Sequence, residues 1–220
     1  MINIAIDGPS GAGKGVVSEK LAKLLNLYHL DTGAMYRAIG LYCYENNVDG
    51  FSEEAVLQVL DKIDIKIEFI NNVQYTYLNG ECVNSRIRSS IASDYSSRSS
   101  ALKCVRDKVK KLQQEFAKNN NVVMEGRDIT TEILPDTKYK FYLDASAEVR
   151  ANRRLKDLLA KGENITFEQV LSDINERDYR DTHREFGKLE LSKDAFYINS
   201  DNYTIDEVVA IIYSKIDERV

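Results

Sequence analysis

The spacing of hydrophobic and polar positions changes several times along the chain, and each change predicts a different element. Residues 1–7 form an apolar opening that reads as a buried strand. A glycine-rich stretch, residues 8–15, follows. From Val16 to Leu27 the apolar residues Val17, Leu21, Leu24 and Leu25 recur at helical spacing. Strand, glycine loop and helix in that order predict the start of a parallel α/β sheet. Residues 121–125 and 140–144 read as two more buried strands, and residues 195–200 as a last one. Ile205 to Ile216 predicts a closing helix, with Ile205, Val208, Val209, Ile212 and Ile216 on one face. Ligands of such sheets gather at the carboxyl ends of the strands.

One region has another texture. Ile63, Ile65, Ile67 and Phe69 alternate with polar residues, and so do Val73, Tyr75 and Tyr77. This predicts a β-hairpin turning at Asn71-Asn72, with a second turn at Asn79-Gly80. An antiparallel patch does not belong in a parallel sheet. Residues 43–104 are therefore expected to form an insert in a discontinuous core. With only two prolines, Pro9 and Pro135, the chain has no proline-rich linker.

Composition narrows the class. A length of 220 residues supports a real hydrophobic core, and 43% hydrophobic with 30% charged residues is ordinary for a globular protein. No apolar run approaches the roughly 20 residues of a membrane helix, and the first residues lack the basic and apolar regions of a signal peptide. A formal net charge of -5 argues against a general nucleic-acid binder. Cys43, Cys82 and Cys104 are scattered and odd in number, which predicts free thiols in a cytoplasmic protein, not a disulfide framework or a zinc site.

Gly8-Pro9-Ser10-Gly11-Ala12-Gly13-Lys14 fits GxxxxGK between a strand and a helix, the setting in which that motif cradles phosphates. Backbone N–H groups turn toward phosphate oxygens, the helix adds its positive end, and Lys14 supplies a mobile cation. The competing reading is a loop that only turns the chain. Gly15 stands where general P-loop proteins carry a Mg²⁺-binding hydroxyl. The Gly13-Lys14-Gly15 ending resembles the nucleoside monophosphate kinases, in which the metal is held largely through phosphates and water.

Residues 7–15, Asp7 through Gly15, resemble the opening of bacterial cytidylate kinases nearly word for word. The resemblance implies a P-loop kinase fold: a parallel sheet flanked by helices in a core of residues 1–42, 105–153 and 190–220, an inserted antiparallel nucleotide-binding subdomain of residues 43–104, and a helical lid of residues 154–189. It implies ATP, with Mg²⁺, as phosphoryl donor and CMP or dCMP as acceptor. Gly8, Pro9, Ser10, Gly11, Ala12, Gly13, Lys14, Gly15 and Val16 are then the ATP loop. Val16 departs from the family's usual threonine and removes a hydroxyl near the α-phosphate; it could also simply be a core residue.

Other segments carry the likeness further. Asp31-Thr32-Gly33-Ala34-Met35-Tyr36-Arg37 resembles the family's acceptor signature, which places Asp31 and Thr32 on the sugar and base side and Arg37 on the acceptor phosphate. Read alone, Asp31 is a helix cap and Arg37 a surface charge. By ungapped counting, Arg88, Ser97 and Arg106 fall on further acceptor contacts. Ser97 addresses cytosine, Arg106 the phosphate, and Arg88 the phosphate or the pocket wall. The proline usual in the family shortly before Val105-Arg106 is absent here, and the serines around Ser97 also suit a polar helix face. Gly126-Arg127-Asp128 matches the family's GRD motif, which makes Arg127 and Asp128 acceptor-site groups; a structural salt bridge between them is the alternative.

Phosphoryl transfer depends on positioning and on positive charge over the phosphate oxygens. Arg177, Asp181 and Arg184, spaced i, i+4 and i+7, share one helix face, which is also the pattern of an ordinary charged helix. The family match assigns the two arginines to both phosphate chains and Asp181 to orienting them. Arg153 resembles the ATP-side arginine, with Arg154 the competing choice, and residues 161–164 look like a lid hinge. The implied catalytic set is Lys14, Arg127, Arg177, Asp181 and Arg184, with no general base, no protein metal ligand, and His29 and His183 without a role. A monomer binding small nucleotides and no membrane is expected. The alternatives are a weakened P-loop regulatory module and a kinase for another nucleoside monophosphate.

Overall fold

The computed structural model describes residues 1–217. A five-stranded sheet forms its centre, in the order β2-β6-β1-β7-β8, with β1 at Asn3–Asp7, β2 at Tyr28–Asp31, β6 at Val122–Gly126, β7 at Tyr139–Asp144 and β8 at Phe196–Asn199. All four pairings are parallel. Each connection is long enough to carry a helix, as parallel strands require. Helices α1 (Lys14–Leu25) and α8 (Ile205–Asp217) cover one face, burying Val17, Leu21 and Ile212 against Ile4, Ile6 and Leu143. Helices α2 (Gly33–Glu45), α3 (Glu53–Leu60) and α5 (Lys103–Asn119) lie on the other, around Leu30, Met35, Ile39 and Met124.

The predicted hairpin is β3 (Ile65–Ile70) paired antiparallel with β4 (Val73–Leu78), and short β5 (Glu81–Cys82) adds a third strand. Asn71, Asn72 and Asn79 all take positive φ, as the turns require. Helix α4 (Ser90–Ser99) packs on α2 so closely that a Cβ on Gly40 would stand 2.6 Å from the Ser96 nitrogen. Val56, Ile65, Leu78 and Ile87 share one core with Leu30 and Met124 of the main sheet, so the inserted residues have no separate core. The expected boundaries at 42/43, 104/105 and 153/154 all fall inside helices. Helices α6 (Ala147–Ala160) and α7 (Phe167–His183) form an antiparallel pair with its own small core of Ala151, Leu158, Val170 and Ile174, joined at Gly162.

Three local expectations change. Helix α1 begins at Lys14, two residues early, because left-handed Gly13 ends the loop there. Val16 is 51% exposed and is not a core residue. Arg184 lies just past the end of α7 in extended backbone, not on its helical face.

Candidate active site

Asp7 ends β1, and Gly8 carries the chain across the end of β7. A Cβ on Gly8 would stand 1.9 Å from the Leu143 carbonyl oxygen, and φ is +149°, so only glycine fits. The loop runs into α1 without any side-chain cap, which leaves the N–H groups of its first turn facing the loop. Lys14 is 5% exposed, and its Nζ donates to the Gly8 and Pro9 carbonyls, both at 2.7 Å. Burial, and then the charge of Arg127, lower its pKa from 10.5 to about 7.

Two residues of α6 support this loop from behind. Arg150 donates to the carbonyls of Ser10 (3.0 Å) and Ala145 (2.8 Å) and pairs with Asp178 of α7 at 2.5 Å. Arg153 donates to the Ala12 carbonyl (3.4 Å) and to Ser200, while Arg154 is exposed. Arg153 is therefore the one of the pair that faces the loop. Asp7, fully buried, accepts from the N–H groups of Ile129 and Thr130 and from the Thr130 hydroxyl. Burial pushes its pKa up to about 6.

The other half of the site is built from β2 and β6, whose ends lie side by side: Asp31 stands opposite Glu125, and Gly126 opposite Asp7. Asp31 Oδ2 accepts from Arg37 at 2.5 Å and Oδ1 from the Ala34 N–H at 3.2 Å. The carboxylate thus serves as helix cap and arginine partner together. Gly33 lies flat against this pair, since a Cβ there would be 2.7 Å from Arg37. The Thr32 hydroxyl donates inward to the Glu125 carbonyl at 2.6 Å. The Glu125 carboxylate meets His29 Nε2 at 3.1 Å and faces Gly15. His29 therefore has a partner; burial lowers its pKa, but Glu125, with Asp31 and Glu19, raises it above the ordinary value.

Arg127 and Asp128 do not pair with each other. Arg127 Nε donates to Asp181 Oδ2 at 2.8 Å, and Arg184 reaches Asp181 Oδ1 at 3.4 Å. Burial would raise the pKa of Asp181, but Arg127, Arg177 and Arg184 hold it at about 2. Arg177 is the opposite case: burial, and then Arg127, lower its pKa to about 10, and its Nε has no hydrogen-bond partner. Arg127 and Arg177 repel Lys14, while Arg127 and Arg37 repel Arg177. Four cations from four segments thus converge over the strand ends, with Asp31 paired to Arg37 and Asp181 to Arg127. Such a cluster is built to receive anions.

Asp128 pairs with Arg106, and both are nearly buried. Ser97 is buried in α4 with an unpartnered hydroxyl. Arg88 is exposed in a 3-10 turn at Arg86–Arg88, where its charge acts on Glu19 of α1, and it does not join the cluster. From the sequence alone His29 has no role and Asp7 stands only as the first residue of the loop motif, while Glu125 and Arg150 are assigned nothing. Only Asp7 left a signal, a carboxylate closing an apolar strand; the others acquire their partners from distant segments.

The sequence pattern of the family described as "Cytidylate kinase" matches residues 4–218. The chain is 47% identical over 208 residues to a cytidylate kinase of Caldicellulosiruptor saccharolyticus, covering 94% of this chain and 92% of that protein. It is 45% identical over 218 residues to one of Thermodesulfovibrio yellowstonii, covering 98% and 97%. Among solved structures, an uncharacterized protein from Eubacterium ventriosum shares the fold over 99% of both chains, with a TM-score of 0.54 at 16% identity.

Proposed function

The chain belongs to the cytidylate kinase family, and from that premise we propose that its cation cluster holds two phosphate chains end to end, ATP in the glycine loop and the acceptor beside Arg37. The enzyme transfers the γ-phosphoryl group of ATP to a phosphate oxygen of CMP or dCMP, leaving ADP and forming CDP or dCDP. The observation that supports the site assignment is the convergence of Lys14, Arg37, Arg127 and Arg177, with the Arg177 Nε buried and without a hydrogen-bond partner, on a place where a bound phosphate chain would offset their mutual repulsion.

Residues 8–16 wrap the donor phosphates, with Arg150 and Arg153 fixing the loop from behind. Lys14, released from the Gly8 and Pro9 carbonyls, turns to the β- and γ-phosphates. Arg37 and Arg106 hold the acceptor phosphate. Asp31, Thr32, Ser97 and Asp128 line the nucleoside side, while Arg88, exposed beside Glu19 of α1, takes no part. Arg127, Arg177 and Arg184 cover the transferring group, where fixed cations stabilise developing charge without reorganising. Asp181 orients them. The acceptor is already an anion, so no residue has to remove a proton.

Mg²⁺ bound with ATP would supply further positive charge to the donor phosphates. Gly15 offers no hydroxyl, and the nearest carboxylate facing it is Glu125, which suits an ion held mainly by phosphate and water. Closure of α6 and α7 over the site excludes water and limits ATP hydrolysis. Among the described residues no helix is long and apolar enough to cross a membrane, and a cytoplasmic monomer is the reading adopted.

The test is ADP release with ATP and Mg²⁺ over CMP, dCMP, UMP and AMP. Turnover with CMP and dCMP alone supports the assignment. Tight ATP binding without turnover on any acceptor favours a regulatory module instead.

A further inference from the structure

Strand β2 is an edge of the parallel sheet, so on its outer side Asp31 presents a backbone N–H and a carbonyl with no strand to pair them. One side chain takes both. Gln74 Oε1 accepts from the Asp31 N–H at 2.8 Å, and Gln74 Nε2 donates to the Asp31 carbonyl at 3.2 Å. A carboxamide carries the same donor and acceptor as a peptide group, so Gln74 stands in for the missing strand.

Gln74 is itself fixed. It lies in β4, opposite Phe69 of β3. Asn84 donates to the Gln74 carbonyl at 2.9 Å and accepts from the Thr76 N–H at 2.8 Å. At its other end Asp31 carries Arg37 on its carboxylate. A continuous hydrogen-bonded chain, Asn84 to Gln74 to Asp31 to Arg37, therefore runs from the insert to the acceptor side of the site. The hairpin has a second anchor on the same strand, where Phe69 packs on Tyr28 with ring centroids 4.6 Å apart. That apolar anchor sits at the start of β2 and the amide anchor at its end, so loss of the amide need not undock the hairpin.

We propose that Gln74 is a positioning residue for the acceptor nucleotide: its side-chain amide pins the end of β2 and thereby fixes the carboxylate that aims Arg37. This rests on the assignment of Arg37 to the acceptor phosphate. Gln74 touches no substrate; it acts through Asp31.

Gln74→Met keeps the length of the side chain and removes the amide. The expected result is a KM for CMP raised about five- to tenfold, the scale of a hydrogen bond or two, with kcat and the KM for ATP within about twofold of the parent. An unchanged KM for CMP, or equal rises for CMP and ATP, overturns the proposal. Amide hydrogen exchange at Asp31 tests the latch apart from the acceptor assignment. Exchange at least about tenfold faster in Gln74→Met, with β1 unchanged, supports it, and unchanged exchange rejects it. A parent enzyme that fails to turn over CMP rejects the acceptor reading, while the exchange result still decides whether Gln74 pins Asp31.

Discussion

Arg106 and Asp128 form an ion pair whose side chains are only 8% and 6% exposed, packed against Gly187 of the segment that follows α7. Arg106 also donates to the Ser100 carbonyl at 3.1 Å and lies over the Tyr36 ring. The pair is therefore part of the fold as well as a candidate for the acceptor pocket. Removing one partner leaves a buried charge without its counterion. Asp128→Ala is expected to cost about 3–5 kcal/mol of stability, beyond any loss of CMP binding. Urea denaturation measures it, and a loss under about 1 kcal/mol would mean the pair opens to water.

Lys14 titrates near neutrality in the nucleotide-free protein. Its folded pKa of about 7 lies below the ordinary 10.5, so its charge is lost as pH rises through 7. ATP phosphates favour the charged form, so binding at pH 8 should take up close to one proton, and binding at pH 6 none from this group. ATP affinity should fall about fivefold from pH 7 to pH 8. Calorimetry in two buffers of different ionisation enthalpy reads the proton directly; identical heats at pH 8 would reject it. Lys14 alone also makes stability rise with pH between about 7 and 10.5, because the unfolded chain binds the extra proton there.

Arg177 should show opposite effects on stability and activity. Burial and Arg127 lower its pKa to about 10, so its charge destabilises the nucleotide-free protein at every lower pH. Arg177→Met is expected to leave the free protein as stable or more stable, while kcat falls about 10²–10³-fold. Thermal melting and steady-state kinetics on the same sample give both numbers. Reduced stability with normal kcat would make it a structural residue.

Gly33→Ala tests the geometry of Arg37. The added Cβ would lie 2.7 Å from the guanidinium and 3.1 Å from Asp31 Oδ1, so Arg37 must swing away. The Arg37–Asp31 pair is partly exposed, so its loss should cost no more than about 1 kcal/mol and the fold should persist. The KM for CMP should rise about tenfold, since small misplacements of a positioning group are costly. An unchanged KM would show that Arg37 binds the acceptor from another rotamer.

Val16→Thr restores a hydroxyl at a half-exposed position beside the loop. It should change stability by no more than about 0.5 kcal/mol and lower the KM for ATP. An unaltered KM for ATP would show that backbone donors already suffice there.

Much of the architecture is legible in the residue order. Ile4 to Asp7, the glycine loop and the Val17-Leu21 face predict β1, the loop and α1, because period and turn chemistry act over a few residues. The hairpin of Ile65–Ile70 and Val73–Leu78 and its asparagine turn are equally local. The helix pair α6–α7 is expected from the family resemblance, but the end of α7 is not. Arg184 takes extended backbone as the C-cap, and its guanidinium donates to the Gly187 carbonyl at 2.7 Å and reaches Asp181.

Sequence by itself determined which segments become strands, helices and phosphate loop, and which charged residues are available, since these follow from nearest-neighbour sterics and side-chain period. Only the tertiary structure decided the partners. Arg127 meets Asp181 across 54 residues, Asp128 meets Arg106 instead of its neighbour, and Gln74 reaches Asp31 across 43. Their backbones are brought together by burial of the shared core, and charge and hydrogen bonding then choose among whatever groups that packing places within about 3 Å.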